Sequence, residues 1–232
     1  MVDFHRSCEE ARGRILPLSG IAIYYRRCPA CGFLFTDCFD DWTEAEFKQH
    51  IYNDDYIVVD PDYREARPMA TAKTIAVTFG KDKARLRVLD YGGGNGLLSQ
   101  ELRKIGFLAA ETYDPFTPEF SRSPDGSFDI VGCFETLEHL PDPRSGIAAL
   151  AALVAEPGIV LFSTLVQPAD WAKVRMTWWY TGPRNGHISM FTRQSLAIAW
   201  QRHGFTVRSF NDNMHAAFRQ MPDFASHLIK KS

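Results

Sequence analysis

Val88-Leu89-Asp90-Tyr91-Gly92-Gly93-Gly94-Asn95-Gly96 is the stretch that decides the reading of this chain. The run Arg87 to Tyr91 has the apolar make-up of a buried strand, and Leu97 to Ile105 has helical spacing. Strand, glycine turn and helix together offer free N–H groups to a ligand at the carboxyl end of a parallel sheet. The glycines then narrow the ligand. A dinucleotide fingerprint needs a third glycine at position 97, which is Leu97, and a phosphate-binding P-loop needs a Lys that does not follow Gly96. An acid closing the next strand is expected to take a ribose. Asp114 closes the run Leu108 to Tyr113, eighteen residues after Gly96, close to the roughly 20-residue spacing of nucleotide-binding βαβ units. Glu111 is the weaker alternative, and a simple Asp-Pro turn is the bland one.

Outward from this loop, strand and helix signals alternate from Arg85 onward. Phe128 to Phe134 and Gly158 to Leu165 read as strands, Pro143 to Val154 and Arg193 to His203 as helices, and Phe205 to Phe210 as a late strand. The fold class is therefore α/β, a Rossmann-like, doubly wound and mostly parallel sheet. Upstream, residues 41–84 read as a helical linker that caps the ligand, with helices over Thr43 to His50 and Tyr63 to Phe79. Residues 1–40 hold four of the five cysteines and short β-like runs. The expected division is 1–40, 41–84 and 85–232.

The run D-x-G-x-G-x-G from Asp90 to Gly96 resembles motif I of the class I S-adenosylmethionine-dependent methyltransferases. The resemblance covers roughly residues 85–210, and Glu135-Thr136-Leu137-Glu138-His139 is similar to the Glu-x-x-Glu-His hallmark of the ubiquinone-type O-methyltransferase subgroup. It implies S-adenosylmethionine as cofactor, cradled by Asp90, Gly92, Gly94 and Gly96, with Asp114 on the ribose hydroxyls. It implies a seven-stranded sheet, or one strand fewer, because only Phe116 to Ser127 separates Asp114 from the next strong strand. The adenine contacts are in doubt for the same reason, with Phe116 and Phe134 as candidate apolar walls. The implied reaction is O-methylation of a sugar-like or phenolic hydroxyl. Methylation of nitrogen, carbon or RNA ribose is the enzymatic rival, and a non-catalytic binding protein the rival of another class.

If residues 135–139 form a helical turn, Glu135, Glu138 and His139 share one face. Two carboxylates and an imidazole at the end of a sheet can act as acid and base or hold a divalent cation that acidifies a bound hydroxyl. His187, in Gly186-His187-Ile188-Ser189-Met190, is similarly placed to a distal ligand of small-RNA 2′-O-methyltransferases. By that likeness Glu135, Glu138, His139 and His187 would bind Mg²⁺ or a similar ion. The alternative is a metal-free site with His139 or His187 as base and Glu138 in support. Trp178, Trp179, Tyr180 and Arg184 follow the expected fifth strand and are the candidates for the acceptor pocket, aromatic walls plus one cation for an anionic group.

Cys28-Pro29-Ala30-Cys31-Gly32 has the spacing of a zinc knuckle, and His5-Arg6-Ser7-Cys8 offers a second pair. The whole resembles the zinc ribbons that precede some bacterial methyltransferase domains. It implies a structural Zn²⁺ on His5, Cys8, Cys28 and Cys31, with Cys38 as substitute for His5. A redox reading is disfavoured because a strand-like run, not a helix, follows Cys31.

Composition sets the outer bounds. Hydrophobic residues make up 45% of the 232, enough for a full core without disulfides, and the net charge of −2, with no basic stripe, argues against nucleic acid as partner. The longest apolar stretch, Ile147 to Val166, is interrupted by Glu156-Pro157-Gly158, so no membrane span is expected. The first residues lack the apolar segment of a signal peptide, and a cytoplasmic protein is expected. Oligomeric state is not legible.

Overall fold

The computed structural model describes residues 1–229. Its N-terminal part is built from very short strands, β1 (Val2–Asp3), β2 (Ala22–Ile23), β3 (Arg26–Arg27) and β4 (Leu34–Phe35). Helices α1 (Glu44–His50), α2 (Tyr56–Val59) and α3 (Ala66–Phe79) follow. The start of α1 is written locally: Thr43 Oγ1 accepts from Glu46 N at 3.3 Å while Glu46 Oε2 accepts from Thr43 N at 2.7 Å, a reciprocal capping box.

Then come β5 (Arg87–Tyr91), α4 (Leu97–Ile105), β6 (Ala109–Tyr113), β7 (Phe128–Phe134), α5 (Pro143–Leu153) and β8 (Val154–Ser163). After a loop region with α6 (Trp171–Val174) and β9 (Ser189–Met190) come α7 (Arg193–Gln201), β10 (Thr206–Ser209) and β11 (Met214–Phe218), followed by a 3-10 helix over Asp223–Leu228.

One sheet organises the molecule, in the order β10-β11-β8-β7-β5-β6. The pairs β8-β7, β7-β5 and β5-β6 are parallel, whereas β11 runs antiparallel to both neighbours. Alternate residues supply the two faces. Leu89, Val131, Val160 and Phe162 pack on one side with Ile147 and Leu150 of α5 and Leu196 and Trp200 of α7. Val88, Ile130, Ile159 and Leu161 pack on the other with Ile75 and Phe79 of α3 and Leu98 and Leu102 of α4. Strands covered on both faces read as continuous apolar runs, which is why β7 and β8 stand out in the sequence.

The doubly wound class holds, with six strands. Between β6 and β7 the described residues form only a single turn of 3-10 helix, Pro118–Phe120, so the strand that would flank β6 is missing and β6 is an edge. Too few residues separate Asp114 from Phe128 for a helix and strand to cross the sheet. The order reverses between β5 and β7, and this switch point places the loops after both strands around one crevice.

A second, three-stranded sheet ties the N-terminus to the body. Leu34 and Phe35 of β4 pair antiparallel with Met190 and Ser189 of β9. Gln167 Nε2 donates to the carbonyls of Gly32 (2.7 Å) and Met190 (3.0 Å), and Thr192 Oγ1 donates to Cys31 O (2.7 Å). Among the described residues no helix is long and apolar enough to cross a membrane.

Candidate active site

The loop after β5 is shaped by what lies against it. Gly94 has φ of +54° and open space where a side chain would start, while a Cβ at Gly92 would come within 2.6 Å of Thr136 Oγ1. Positive φ and close approach are both available to glycine alone at little cost. Thr136 belongs to the segment after β7, so Gly92 lets the two loops touch. Asp114 sits at the end of β6 as expected. Its Oδ2 accepts from Gly94 N at 2.9 Å and its Oδ1 from Phe116 N at 2.8 Å. Glu111 is exposed and instead pairs with Arg87 at 3.4 Å, which removes it from the crevice.

Asp90 lies beneath the loop, buried, with its Oδ2 unpartnered. Burial, and then the nearby Asp114, push its carboxyl up to about 7. The helical linker reaches this loop: Asn95 Nδ2 donates to Arg64 O at 3.0 Å. Phe116 is partly exposed, its ring 5.4 Å from that of Tyr52, and Phe134 lies at the margin of the core with its ring over Gly132. An open, glycine-lined cradle above an orphaned carboxylate oxygen fits a nucleoside-like cofactor.

The segment after β7 departs from one continuous helical turn. Glu135 has φ of +49°, and only Leu137–His139 forms a turn of 3-10 helix. Glu135 therefore does not join Glu138 and His139 on one face. Its backbone N–H donates to Ser163 Oγ at 2.9 Å, and burial, followed by Glu138, raises its carboxyl to about 7. Non-glycine residues at positive φ are held there by their surroundings and concentrate at functional sites.

Glu138, His139 and His187 do come together, with one ligand atom of each within 4.8 Å of the others. Glu138 is fully buried. Tyr180 donates its hydroxyl to Glu138 Oε1 at 2.5 Å, and Oε2 has no partner. Burial lifts the Glu138 carboxyl above its ordinary value and lowers both imidazoles, His187 to about 3. Each ring has Nδ1 on a backbone carbonyl, His139 on Gly186 O at 3.1 Å and His187 on Tyr180 O at 2.7 Å. Since a carbonyl only accepts, Nδ1 carries the hydrogen and Nε2 keeps its lone pair.

A cavity of about 330 Å³ opens over this group, lined by Glu135, His139, Trp179, Tyr180 and His187. Its far wall comes from residues that the sequence did not single out for this role. Arg67, at the start of α3, makes a bidentate pair with Asp60 at 2.7 and 2.9 Å, and Cys8 places its Sγ 3.6 Å from His187 Nδ1. Burial raises the Cys8 thiol, so it stays protonated. The expected acceptor residues divide. Trp179 is half-exposed and Tyr180 buried on the cavity wall, whereas Trp178 is buried against Trp171 and Tyr180. Arg184 is turned toward another depression, donating to Ile51 O at 2.8 Å and Asn53 Oδ1 at 2.9 Å.

The zinc set is not assembled. Cys28 and Cys31 share a tight turn, with Cys28 N donating to Phe33 O at 2.8 Å and Gly32 N to Cys28 O at 2.9 Å. Backbone N–H groups of Cys31 and then Ala30 hold the Cys28 thiol below its ordinary value. His5, however, bonds Pro17 O through Nδ1 at 2.8 Å, and Cys8 is fixed at the cavity by its N–H on Asn185 Oδ1 at 2.8 Å. Neither reaches the knuckle, and Cys38 does not replace them. Among the described residues, Glu138, His139 and His187 are the one group of three or more metal-capable side chains brought within ligand distance of each other.

With this geometry in view, comparison with known proteins is decisive for the family. The model of the methyltransferase domain family matches residues 63–209, more than half of the chain. This chain belongs to that family. The methyltransferase domain is similar to ubiquinone biosynthesis O-methyltransferases. It is 37% identical over 102 residues to that of Aromatoleum aromaticum (34% of this chain, 44% of the relative) and 30% identical over 127 residues to that of Thiobacillus denitrificans (44% and 55%). The chain thus spans about half the length of these relatives. Among solved structures, magnesium protoporphyrin IX methyltransferase from Synechocystis PCC 6803 with bound SAH superposes with a TM-score of 0.51. It is 18% identical, covering 78% of this chain and 97% of that one, which supports the shared fold.

Proposed function

We propose that the chain binds S-adenosylmethionine over Gly92–Gly96, with Asp114 on the ribose, and methylates a hydroxyl oxygen of a small molecule held in the cavity above Glu138. The observation that carries this reading is the convergence of two Nδ1-tethered imidazoles on a cavity, with the fully buried Glu138 within ligand distance of both and Thr136, in the same turn, against Gly92. Oxygen as acceptor atom is supported by the relatives, which are ubiquinone biosynthesis O-methyltransferases.

The reaction is an in-line displacement. The acceptor oxygen bonds to the methyl carbon, the carbon–sulfur bond breaks, and sulfur keeps the electron pair. What the protein supplies is alignment and a place for the hydroxyl proton. His139 offers Nε2 for that proton while Gly186 O holds the ring in orientation. Tyr180 fixes Glu138, whose free Oε2 faces no protein partner. Trp179 and Tyr180 suit a flat ring or sugar face.

The same donors fit a divalent cation. Glu138, His139 and His187 would hold it through one carboxylate oxygen and imidazole nitrogens, with Glu135 outside the set. When bound, such an ion supplies acidification of a hydroxyl. The expected zinc ligands, by contrast, are dispersed: Cys8 lies at the reaction cavity and His5 at a different depression, both away from Cys28 and Cys31.

The test is incubation with methyl-labelled S-adenosylmethionine and a fractionated cell extract. Label is expected in a small molecule, as an alkali-stable methyl ether. Label in polynucleotide would overturn the acceptor class, and S-adenosylhomocysteine binding without any transfer would point to a non-catalytic protein.

A further inference from the structure

A cavity of about 360 Å³ has a lining distinct from that of the reaction cavity. Val59 contributes to both. Phe4, Leu16, Pro17, Val58 and Val59 supply the apolar part of its lining, and Gln49, Asn53 and Arg184 are among the polar part. Arg184 is only 6% exposed, and among the described residues no carboxylate lies within ion-pair distance of it. Of the five N–H donors of a guanidinium, one of Nη1 goes to Ile51 O and one of Nη2 to Asn53 Oδ1, both neutral acceptors. The Ile51 carbonyl ends α1, and the partial negative charge of that helix terminus offsets some of the buried charge. The guanidinium thus stays buried with no carboxylate in contact, Asp55 acting on it only at longer range. His5 and His50 stand at the same cavity, and Asp55 is the one acid on its wall.

We infer that this second cavity is a binding site for an amphipathic anion, a carboxylate or phosphate head on Arg184 with an apolar body against Phe4, Leu16, Val58 and Val59. A guanidinium with spare, geometrically paired donors suits both head groups. The site is independent of which acceptor the reaction uses, and it holds even if the methyl-transfer reading fails.

The experiment uses the full chain saturated with S-adenosylhomocysteine and titrated by ligand-observed NMR with phenyl phosphate, benzoate, inorganic phosphate and benzyl alcohol. Phenyl phosphate and benzoate are expected to bind, inorganic phosphate at least tenfold more weakly and benzyl alcohol not at all. The order of the first two tells which head group the site prefers. Arg184→Gln should weaken both anions at least tenfold. So should Val58→Trp, which fills the apolar wall from a half-buried position and keeps the inference testable if the Arg184 variant fails to fold. Glu138→Gln, in the reaction cavity, should leave probe binding unchanged. Absence of binding, equal binding of the neutral alcohol, loss of binding in Glu138→Gln, or an Arg184→Gln protein that melts lower yet binds phenyl phosphate normally would each overturn it.

Discussion

The glycine loop and the cavity over Glu138 sit at the carboxyl ends of adjacent strands, yet they are built on opposite plans. The loop is one contiguous stretch from β5 into α4, closed by Asp114 from the next strand. The cavity is assembled from Cys8, the pair Asp60–Arg67, the turn after β7 and the loop carrying Tyr180 and His187. The loop presents glycine backbone with open space at Gly94, whereas the cavity presents buried, mutually bonded side chains. A cofactor shared across a family can be met by backbone and one acid. An acceptor particular to one enzyme needs side chains, and those come from wherever the fold brings them.

If the two plans divide the labour, damage to one should spare the other. The largest expected effect is on Glu138→Gln, which keeps shape and the Tyr180 contact but removes the charge. Turnover should fall about 100-fold or more while S-adenosylhomocysteine affinity by calorimetry stays within twofold. Equal losses in both would break the division. The mirror experiment is Asp114→Ala, expected to weaken S-adenosylhomocysteine about 100-fold, near 2.7 kcal/mol, as charge-assisted hydrogen bonds are lost. Normal binding would remove the ribose assignment.

Smaller effects sharpen the comparison. Trp179→Ala should raise KM for the acceptor about fivefold, in line with about 1 kcal/mol for an aromatic contact, and leave KM for the cofactor alone. Steady-state kinetics in both substrates would show it. Asp90 gives a pH signature on the loop side. Its folded-state carboxyl is raised from 3.8 to about 7, so the protonated form is the one the fold favours. Its contribution is complete below the ordinary value and is lost as pH rises through about 7. The slope reaches at most about 1.4 kcal/mol per pH unit for one proton. Glu135 and Glu138 are raised too, so the measurement is a difference: thermal melts of cofactor-free protein from acid to neutral pH should fall less steeply in Asp90→Asn than in the native chain. Parallel curves would show that Asp90 does not titrate there.

What the sequence made legible follows the same division. β5, α4, β7, α5 and α7 could be read within a residue or two, because strands covered on both faces are continuous apolar runs and the helices carry their own caps, such as Asp142 with Pro143 and Thr192 with Ser195. The strand β11 was not read. Met214-His215-Ala216-Ala217-Phe218 has little β-propensity, and it holds its place by pairing with β8 and β10. Glu138, His139 and His187 were recognisable as a group, while the left-handed backbone at Glu135 was not, since it is imposed by Ser163 on the neighbouring strand. Arg67 and Asp60 carry no motif. Cys8 carried a misleading one, because its spacing to His5 imitates half a zinc site whereas its contacts are with Asn185 and His187.

The pairing of β4 with β9 bears on the order in which this protein becomes active during folding. Cys8 and His187 are 179 residues apart along the chain, and closing so long a loop costs entropy that local contacts do not. The cradle around Gly92–Gly96 draws its contacts from residues between Arg64 and Thr136, and can form before the last third of the protein has been made. The reaction cavity cannot close until that last third has met the first forty residues. A chain that is still folding should therefore hold the methyl donor before it can spend it, with the oldest residues arriving last at the site they complete.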